Sequence, residues 1–428
     1  MNPKIAALCG WLLLLSLAIS LYSELLVPIP SYWAGVPIWI TSVFFFPYLK
    51  GVQKKQIIIL IVCGLFGLLY GTMHHLDSRY FLKTLEANQN VVTMLIGVGF
   101  LRIFATHSVQ TNETLPIGSR SLIKTLLGVH LFGAVLNMSS VIIVGDKLSM
   151  KKPLQTSQAV ILLRGFAICA FWSPFFAAMG MTLTSAPGSH LSTLIIYGIP
   201  VSLIALALTA WEIKRTPLAE DIEGYPMGIK SLWMPCLLAL IVLGEHQIWP
   251  RASVLSLVAL TSVTFIALWL ITMKRKSGIA MAKHHIEVGV ASSAGEVVLF
   301  AAAAMLASGV ASILASLNVQ LAPDHFGAFA AFITLVILVG LAMTGMHPVT
   351  SVVLAGSVLA PSVTDPNLLG LTLLMGWSLG ITFSPFSGVQ LSIQSRYKIK
   401  AKTLLSHNWR YISTMLAVCA ATLWLYTL

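Results

Sequence analysis

Ser173-Pro174-Phe175 recurs as Ser384-Pro385-Phe386, 211 positions further along the chain. Each copy lies inside an apolar run and joins two residue types suited to ending one helix and starting another. Serine is a good N-cap, and proline fits the first helical turn, where an N–H would have no partner to lose. A break of this kind leaves a half-helix N-terminus, with a partial charge of roughly +0.5 and free N–H donors. Beside neutral hydroxyls, such ends suit the oxygens of an anion. Unwound carbonyls and half-helix C-termini suit a small cation such as sodium.

Two further interruptions resemble these. Asn137 precedes Ser139 and Ser140, and is expected to cap a half-helix that begins near Ser139. His347-Pro348 is expected to start the half-helix that contains Thr350 and Ser351, with His347 free to cap, to bind substrate or to take up a proton. The 211-residue offset aligns Ser139-Ser140-Val141-Ile142-Ile143-Val144-Gly145 with Thr350-Ser351-Val352-Val353-Leu354-Ala355-Gly356 without a gap, and pairs Gly165 with Gly376. A lone Ser-Pro in a membrane helix is an ordinary kink. Recurrence in one register over this length points instead to a duplicated unit whose breaks serve a site.

Ionisable groups at depth are few. Arg102 falls near the end of its span, where it can snorkel. Arg164 sits about nine residues before Ser173, placed either to neutralise an anionic substrate or to pair with Glu296. Glu296 is the candidate proton-coupling carboxylate. His74-His75 with Asp77, and His284-His285, lack further ligands, so no metal site is expected. The sequon at Asn112-Glu113-Thr114 falls on the cytoplasmic side of the topology below. No phosphate loop, nucleotide-binding glycine pattern or metalloprotease motif occurs, so neither an ATP-driven pump nor a cofactor is expected.

The elements that must hold these residues follow from composition. The chain has 428 residues, 57% hydrophobic and only 9% charged, with a mean hydropathy of +0.88. Soluble proteins carry about 25% charged residues. A soluble enzyme, a nucleic-acid binder and a disordered scaffold are excluded, and an all-α polytopic membrane protein is expected.

Spans of about 20 apolar residues are expected near 5–23, 36–49, 57–73, 90–107, 191–211, 231–249, 253–273, 290–316 and 408–428. The first is read as an uncleaved helix. The regions 122–148 and 327–360 are expected to be re-entrant hairpins, and 157–186 and 368–395 broken helices. That makes about 11 crossings plus two hairpins, in two inverted repeats. The N-terminus is expected in the cytoplasm and the C-terminus outside, in a plasma or bacterial inner membrane.

The net charge of +12 then becomes an orientation signal. Lys50, Lys54, Lys55, Lys147, Lys151, Lys152, Lys214, Arg215, the run Lys274-Arg275-Lys276, Arg396, Lys398, Lys400 and Lys402 all fall inside. Only Arg79, Lys83 and Arg251 fall outside, as the positive-inside rule requires. A nucleic-acid partner loses its support. The expected organisation is an extra helix in 1–30, a first repeat over 31–211, a connector over 212–230 with Pro217, Pro226 and Lys230, and a second repeat over 231–428.

This order of elements resembles the ion transporter superfamily of secondary carriers, and in architecture most of all the divalent anion/sodium symporter family. The likeness rests on architecture and short motifs over nearly the whole chain. Members typically carry Ser-Asn-Thr at hairpin tips and helix breaks. Here the tips read Asn137-Met138-Ser139-Ser140 and His347-Pro348-Val349-Thr350-Ser351, which suggests a distinct branch. By position, the resemblance gives the tip roles to Asn137, Ser139, Ser140, Thr350 and Ser351, and the break roles to Ser173 and Ser384.

The expected function is secondary active transport of a small, anionic organic solute, coupled to Na+ or H+. Its binding residues would be Asn137, Ser139, Ser140, Ser173, Pro174, His347, Thr350, Ser351, Ser384 and Pro385, with Arg164 and Glu296 compensating charge or coupling. Scaffold pairing into a homodimer is expected. The alternatives are a membrane-embedded enzyme acting on a lipid-linked substrate, with Arg164, His347 and Glu296 as its polar machinery, and a passive channel.

Overall fold

The computed structural model describes residues 2–49, 51–74, 79–108, 115–215, 219–225, 233–249, 252–274, 276–319, 321, 323 and 325–428. Lys50, His75, Asp77, the Asn112–Thr114 sequon, Pro217, Pro226, Lys230, Arg251 and Arg275 lie outside the described residues. Among the described residues every regular element is helical, apart from an isolated bridge between Ile117 and Glu223. Among the described residues eight helices are long and apolar enough to cross a membrane, and Thr156–Phe171, Leu237–Ile248, Ala328–Met343 and Pro348–Leu359 are shorter apolar helices. The protein is an all-α polytopic membrane protein.

The chain forms two compact units. The first comprises Met1–Val109, Leu238–Leu321 and Ser357–Pro361. In it, helix Gly51–Met73 packs along Ala294–Leu317, and Gln89–Ser108 along Val254–Trp269. The first contact is backbone on backbone. A side chain at Gly67 would collide with Gly309, and one at Gly309 with Gly64. Small residues serve such interfaces in lipid because apolar burial alone gives helices no reason to associate there. Helix Pro3–Leu25 lies on Tyr32–Phe45, held by Ser16 Oγ donating to Ala34 O over 2.6 Å. The span expected at 36–49 thus starts earlier, at Tyr32, and ends in a 3-10 turn, Phe46–Tyr48, because Pro47 has no N–H to continue the helix.

The second unit comprises Gln110–Leu237, Ala322–Gly356 and Ser362–Leu428. It holds both regions expected as hairpins, apart from the Ser357–Leu359 end of the second, and both interrupted helices. Helices Ser119–Leu136 and Ser139–Leu148 form the first hairpin, and Ala328–Met343 and Pro348–Leu359 stand at the second. Thr156–Ile168 and Ala177–Ser185 are the halves of the first broken helix, and Pro366–Phe383 and Gly388–Tyr397 those of the second. Each set is followed by a long helix, Leu191–Arg215 or Ala401–Tyr426. Moving the first set forward by 211 residues brings every element onto its counterpart to within a few residues, so the register seen over 139–175 extends through the closing helices.

Candidate functional site

The two breaks are built alike. Ser173 N–H donates to Cys169 O and Ser384 N–H to Gly380 O, each over 2.9 Å, which completes the last turn of the preceding half-helix. Phe175 N–H reaches Ser173 Oγ and Phe386 N–H reaches Ser384 Oγ, each at 3.2 Å. Phe176 N–H then closes on Ser173 O at 3.3 Å, and Ser387 N–H on Ser384 O at 3.2 Å. Both Ser-Pro-Phe strings are therefore β-turns with proline in the second position, which its fixed φ favours. This corrects the expectation that the serines cap the following half-helices. Those helices begin at Ala177 and Gly388, with Phe176 and Ser387 in the N-cap positions.

The tips differ from each other. Asn137 ends the first arm with φ +51° and ψ −139°, a strained positive-φ conformation, outside the left-handed helical region, that glycine adopts most readily. Its side chain does not cap the next helix, where Met138 holds the N-cap position without a side-chain bond. Instead Asn137 Nδ2 donates to Phe175 O over 3.1 Å, while Asn137 O accepts from Ser140 N–H and Oγ–H at 3.2 and 2.9 Å. Ser173 Oγ donates to Ala134 O in a close contact. Two bonds thus tie the first tip to the first break.

At the second tip, His347 Nδ1 accepts from Val349 N–H at 3.2 Å, and His347 O accepts from Thr350 and Ser351 N–H at 2.8 and 3.3 Å. Here the residue caps, as one of its expected roles requires. Thr350 and Ser351 are buried, Ser351 Oγ donates to Pro348 O, and the Phe386 ring of the second break lies against Gly345.

Arg164 is where the structure departs most from expectation. Its side chain is 1% exposed, and its ion partner is Glu212, Nη1 to Oε2 at 2.5 Å, rather than Glu296. Nε donates to Asn408 Oδ1 and Nη2 to His407 O, at 2.7 and 2.8 Å, and the guanidinium stacks on Tyr411. These contacts join the first broken helix to both closing helices. The small cavity beside it, about 80 Å³ between Ser157, Thr209, Glu212 and His407, has room for a few waters. Glu296 lies in the first turn of Ala294–Leu317, in the other unit, with an exposed side chain at the helix end that favours a carboxylate.

Several functional-looking residues had no clear sequence signal. Buried His130 lies between Gly165 O, 3.2 Å from Nδ1, and Trp172 Nε1–H, which donates to Nε2 at 3.2 Å. This assigns the proton to Nδ1 and steadies the residue just before Ser173. Gln390 is fully buried, one turn past the second break. It donates from Nε2 to Thr382 O at 2.7 Å and leaves Oε1 without a partner. Its half-helix also carries Ser392, Gln394, Ser395 and Arg396, so nothing in the sequence singles it out. Asp146, in the last turn of Ser139–Leu148, is half exposed and takes a two-pronged contact from Arg396, Nε and Nη2 at 2.6 and 2.5 Å, plus Tyr397 Oη at 3.0 Å. Among the described residues, no cluster of His, Cys, Asp and Glu has the composition of a metal site.

No protein-family model matches the chain, and no curated protein matches it. Among solved structures it is similar to the YdaH transporter of Alcanivorax borkumensis, whose crystal structure has an unusual topology. The two share 16% identity and a TM-score of 0.52 over 79% of this chain and 84% of that one. At that identity the likeness is one of fold.

Proposed function

We propose that the protein is a secondary active transporter for a small, anionic organic solute, working by alternating access. The observation that carries this reading is the gathering of both hairpin tips and both helix breaks in one compact unit. Asn137 is bonded to Phe175, Phe386 rests on Gly345, and Ser378 of the second broken helix is bonded to Ala167 of the first. Interruptions at matching places in two halves are what a carrier uses to build a substrate site from backbone. The shared fold with a transporter supports the same reading, and favours a carrier over an enzyme.

The solute would be held by Asn137, Ser139, Ser140, Ser173, His347, Thr350, Ser351 and Ser384, with Pro174 and Pro385 shaping the turns. Arg164 is already neutralised by Glu212, so compensation for an anion falls to half-helix N-termini and to the coupling ion. Sodium would sit among turn carbonyls. If the ion is a proton, Glu296 is the carboxylate to examine. On this reading the protein is a branch of the ion transporter superfamily, built from two inverted repeats, with a cytoplasmic N-terminus, an outer C-terminus and a homodimeric scaffold.

The test uses purified protein in liposomes loaded with candidate organic anions. Uptake or counterflow driven by a sodium or proton gradient is expected. Flux that only dissipates a solute gradient would mean a channel. Substituting Asn137, Ser173, Thr350 and Ser384 together by alanine should abolish uptake, and wild-type-like uptake would overturn the site.

A further inference from the structure

The first unit contains a cavity unrelated to the four interruptions. It measures about 230 Å³, and its lining, which includes Phe100, Ile266, Leu270, Gly278, Ile279 and Ala282, is wholly apolar. The chain builds it by turning back on itself. Helix Val254–Trp269 continues into a π-helical turn, Leu270–Lys274, and helix Lys276–His284 returns with Gly278 against Leu270. The wide turn and the small residue together leave the space. Its outer edge carries Ile271 and Ile279, 69% and 77% exposed, so the cavity opens toward the surroundings of the protein.

One end of this apolar slot is strongly basic. Lys274 lies about one turn past Leu270 and stacks over Trp269, a residue type that prefers the membrane–water boundary. Arg275 and Lys276 adjoin it in sequence, while Lys283 lies about 10 Å along the returning helix, at the other end of it. Basic clusters at the end of a membrane helix recruit anionic headgroups, and apolar slots between helices take acyl chains. Together these match the two ends of one molecule.

We propose that this cavity is a binding site for an anionic phospholipid, with one acyl chain between Phe100, Ile266 and Ala282 and the headgroup phosphate on Lys274. A free phosphate would have no use for the slot, and a zwitterionic lipid none for the cations.

The experiment is native mass spectrometry of the full-length protein in mild detergent, incubated with equal amounts of phosphatidylglycerol and phosphatidylcholine. Wild type should retain phosphatidylglycerol at least tenfold in preference. Replacing Lys274, Arg275 and Lys276 together by alanine should remove the preference, and Ala282→Phe, which fills the slot, should remove retention. Equal retention of both lipids by wild type, or full retention by Ala282→Phe, would overturn the proposal. Should Ala282→Phe fail to fold, wild type is labelled with a phosphatidylglycerol carrying a photoreactive acyl chain. Adducts are expected on the 263–282 segment, and adducts confined to other segments would overturn the proposal equally.

Discussion

Ser378 Oγ donates to Ala167 O over 2.8 Å, and these residues stand 211 positions apart, the separation that relates the two halves of the second unit. A contact between repeat mates places them at the axis of the internal symmetry. Contacts farther out cross over it. Gly145 of the first hairpin packs on Tyr397, at the end of the second broken helix, and its mate Gly356 packs on Ser185, at the end of the first. Gly356 is required because a side chain there would collide with the Ser185 backbone, whereas one at Gly145 would press on the Tyr397 phenol. Each hairpin is therefore held partly by the broken helix of the other repeat.

Ser378→Ala should accordingly weaken the junction between the two broken helices. A buried side-chain hydrogen bond contributes about 1 kcal/mol net, and Ala167 O can still serve its own helix, so the loss should not exceed that. Ser378→Leu should cost more, because a close-packed junction has no room for three added carbons. Thermal unfolding in detergent checks the order, with the wild type most stable and the leucine variant least.

Arg164 makes a sharper case. Arg164→Leu would remove a buried ion partner of Glu212 and leave Asn408 Oδ1 without its donor. Removing one partner of a buried pair costs 3–5 kcal/mol, and Glu212 is 33% exposed, so the lower end, about 3 kcal/mol, is expected. The double variant Arg164→Leu with Glu212→Leu should recover part of that loss. A double variant no more stable than Arg164→Leu alone would refute the assignment of Glu212 as the partner that matters.

The same residue marks how far the sequence could be read. Ser-Pro-Phe was legible because few residue types can interrupt a helix in lipid, so a break leaves its mark in adjacent letters. The partners of Arg164 left none, since Glu212 and Asn408 lie 48 and 244 positions away and either could have faced water in another packing. Asn137 was recognised as a tip residue, but its side chain was assigned to a cap. The backbone reversal that turns it toward Phe175 depends on a φ that no neighbouring letter dictates. His130 and Gln390 stand among other polar residues of their helices with no neighbouring letter to mark them. Matched local breaks were thus readable, whereas the long-range polar contacts that hold them together required the packed chain.

Asp146 and Arg396 should behave as an exposed but well-formed pair. Both are about half exposed, so their coupling is screened by water and should not exceed about 1 kcal/mol despite the two-pronged geometry. A double-mutant cycle with Asp146→Asn and Arg396→Gln, read by thermal unfolding, measures that coupling. The charge-exchanged protein, Asp146→Arg with Arg396→Asp, should be more stable than either single reversal, since each single reversal sets like charges together beside Tyr397. Strict additivity in the cycle would mean that the contact contributes nothing.

Asn137 allows its two roles to be separated. The residue supplies a positive-φ backbone and a donor to Phe175 O. Asn137→Gly keeps the first and removes the second, and Asn137→Ala removes the second while staying strained in the first. A side chain at this positive φ costs about 1–3 kcal/mol that glycine avoids, and the tether is worth about 1 kcal/mol. Alanine, which keeps the strain and lacks the tether, should therefore be the least stable of the three. Uptake in liposomes should separate the variants differently. If the tether orders the first break for binding, Asn137→Gly should already show weakened apparent affinity with the fold intact, and Asn137→Ala should add little beyond its instability. Wild-type affinity in Asn137→Gly would confine this residue to shaping the tip and would remove it from the site.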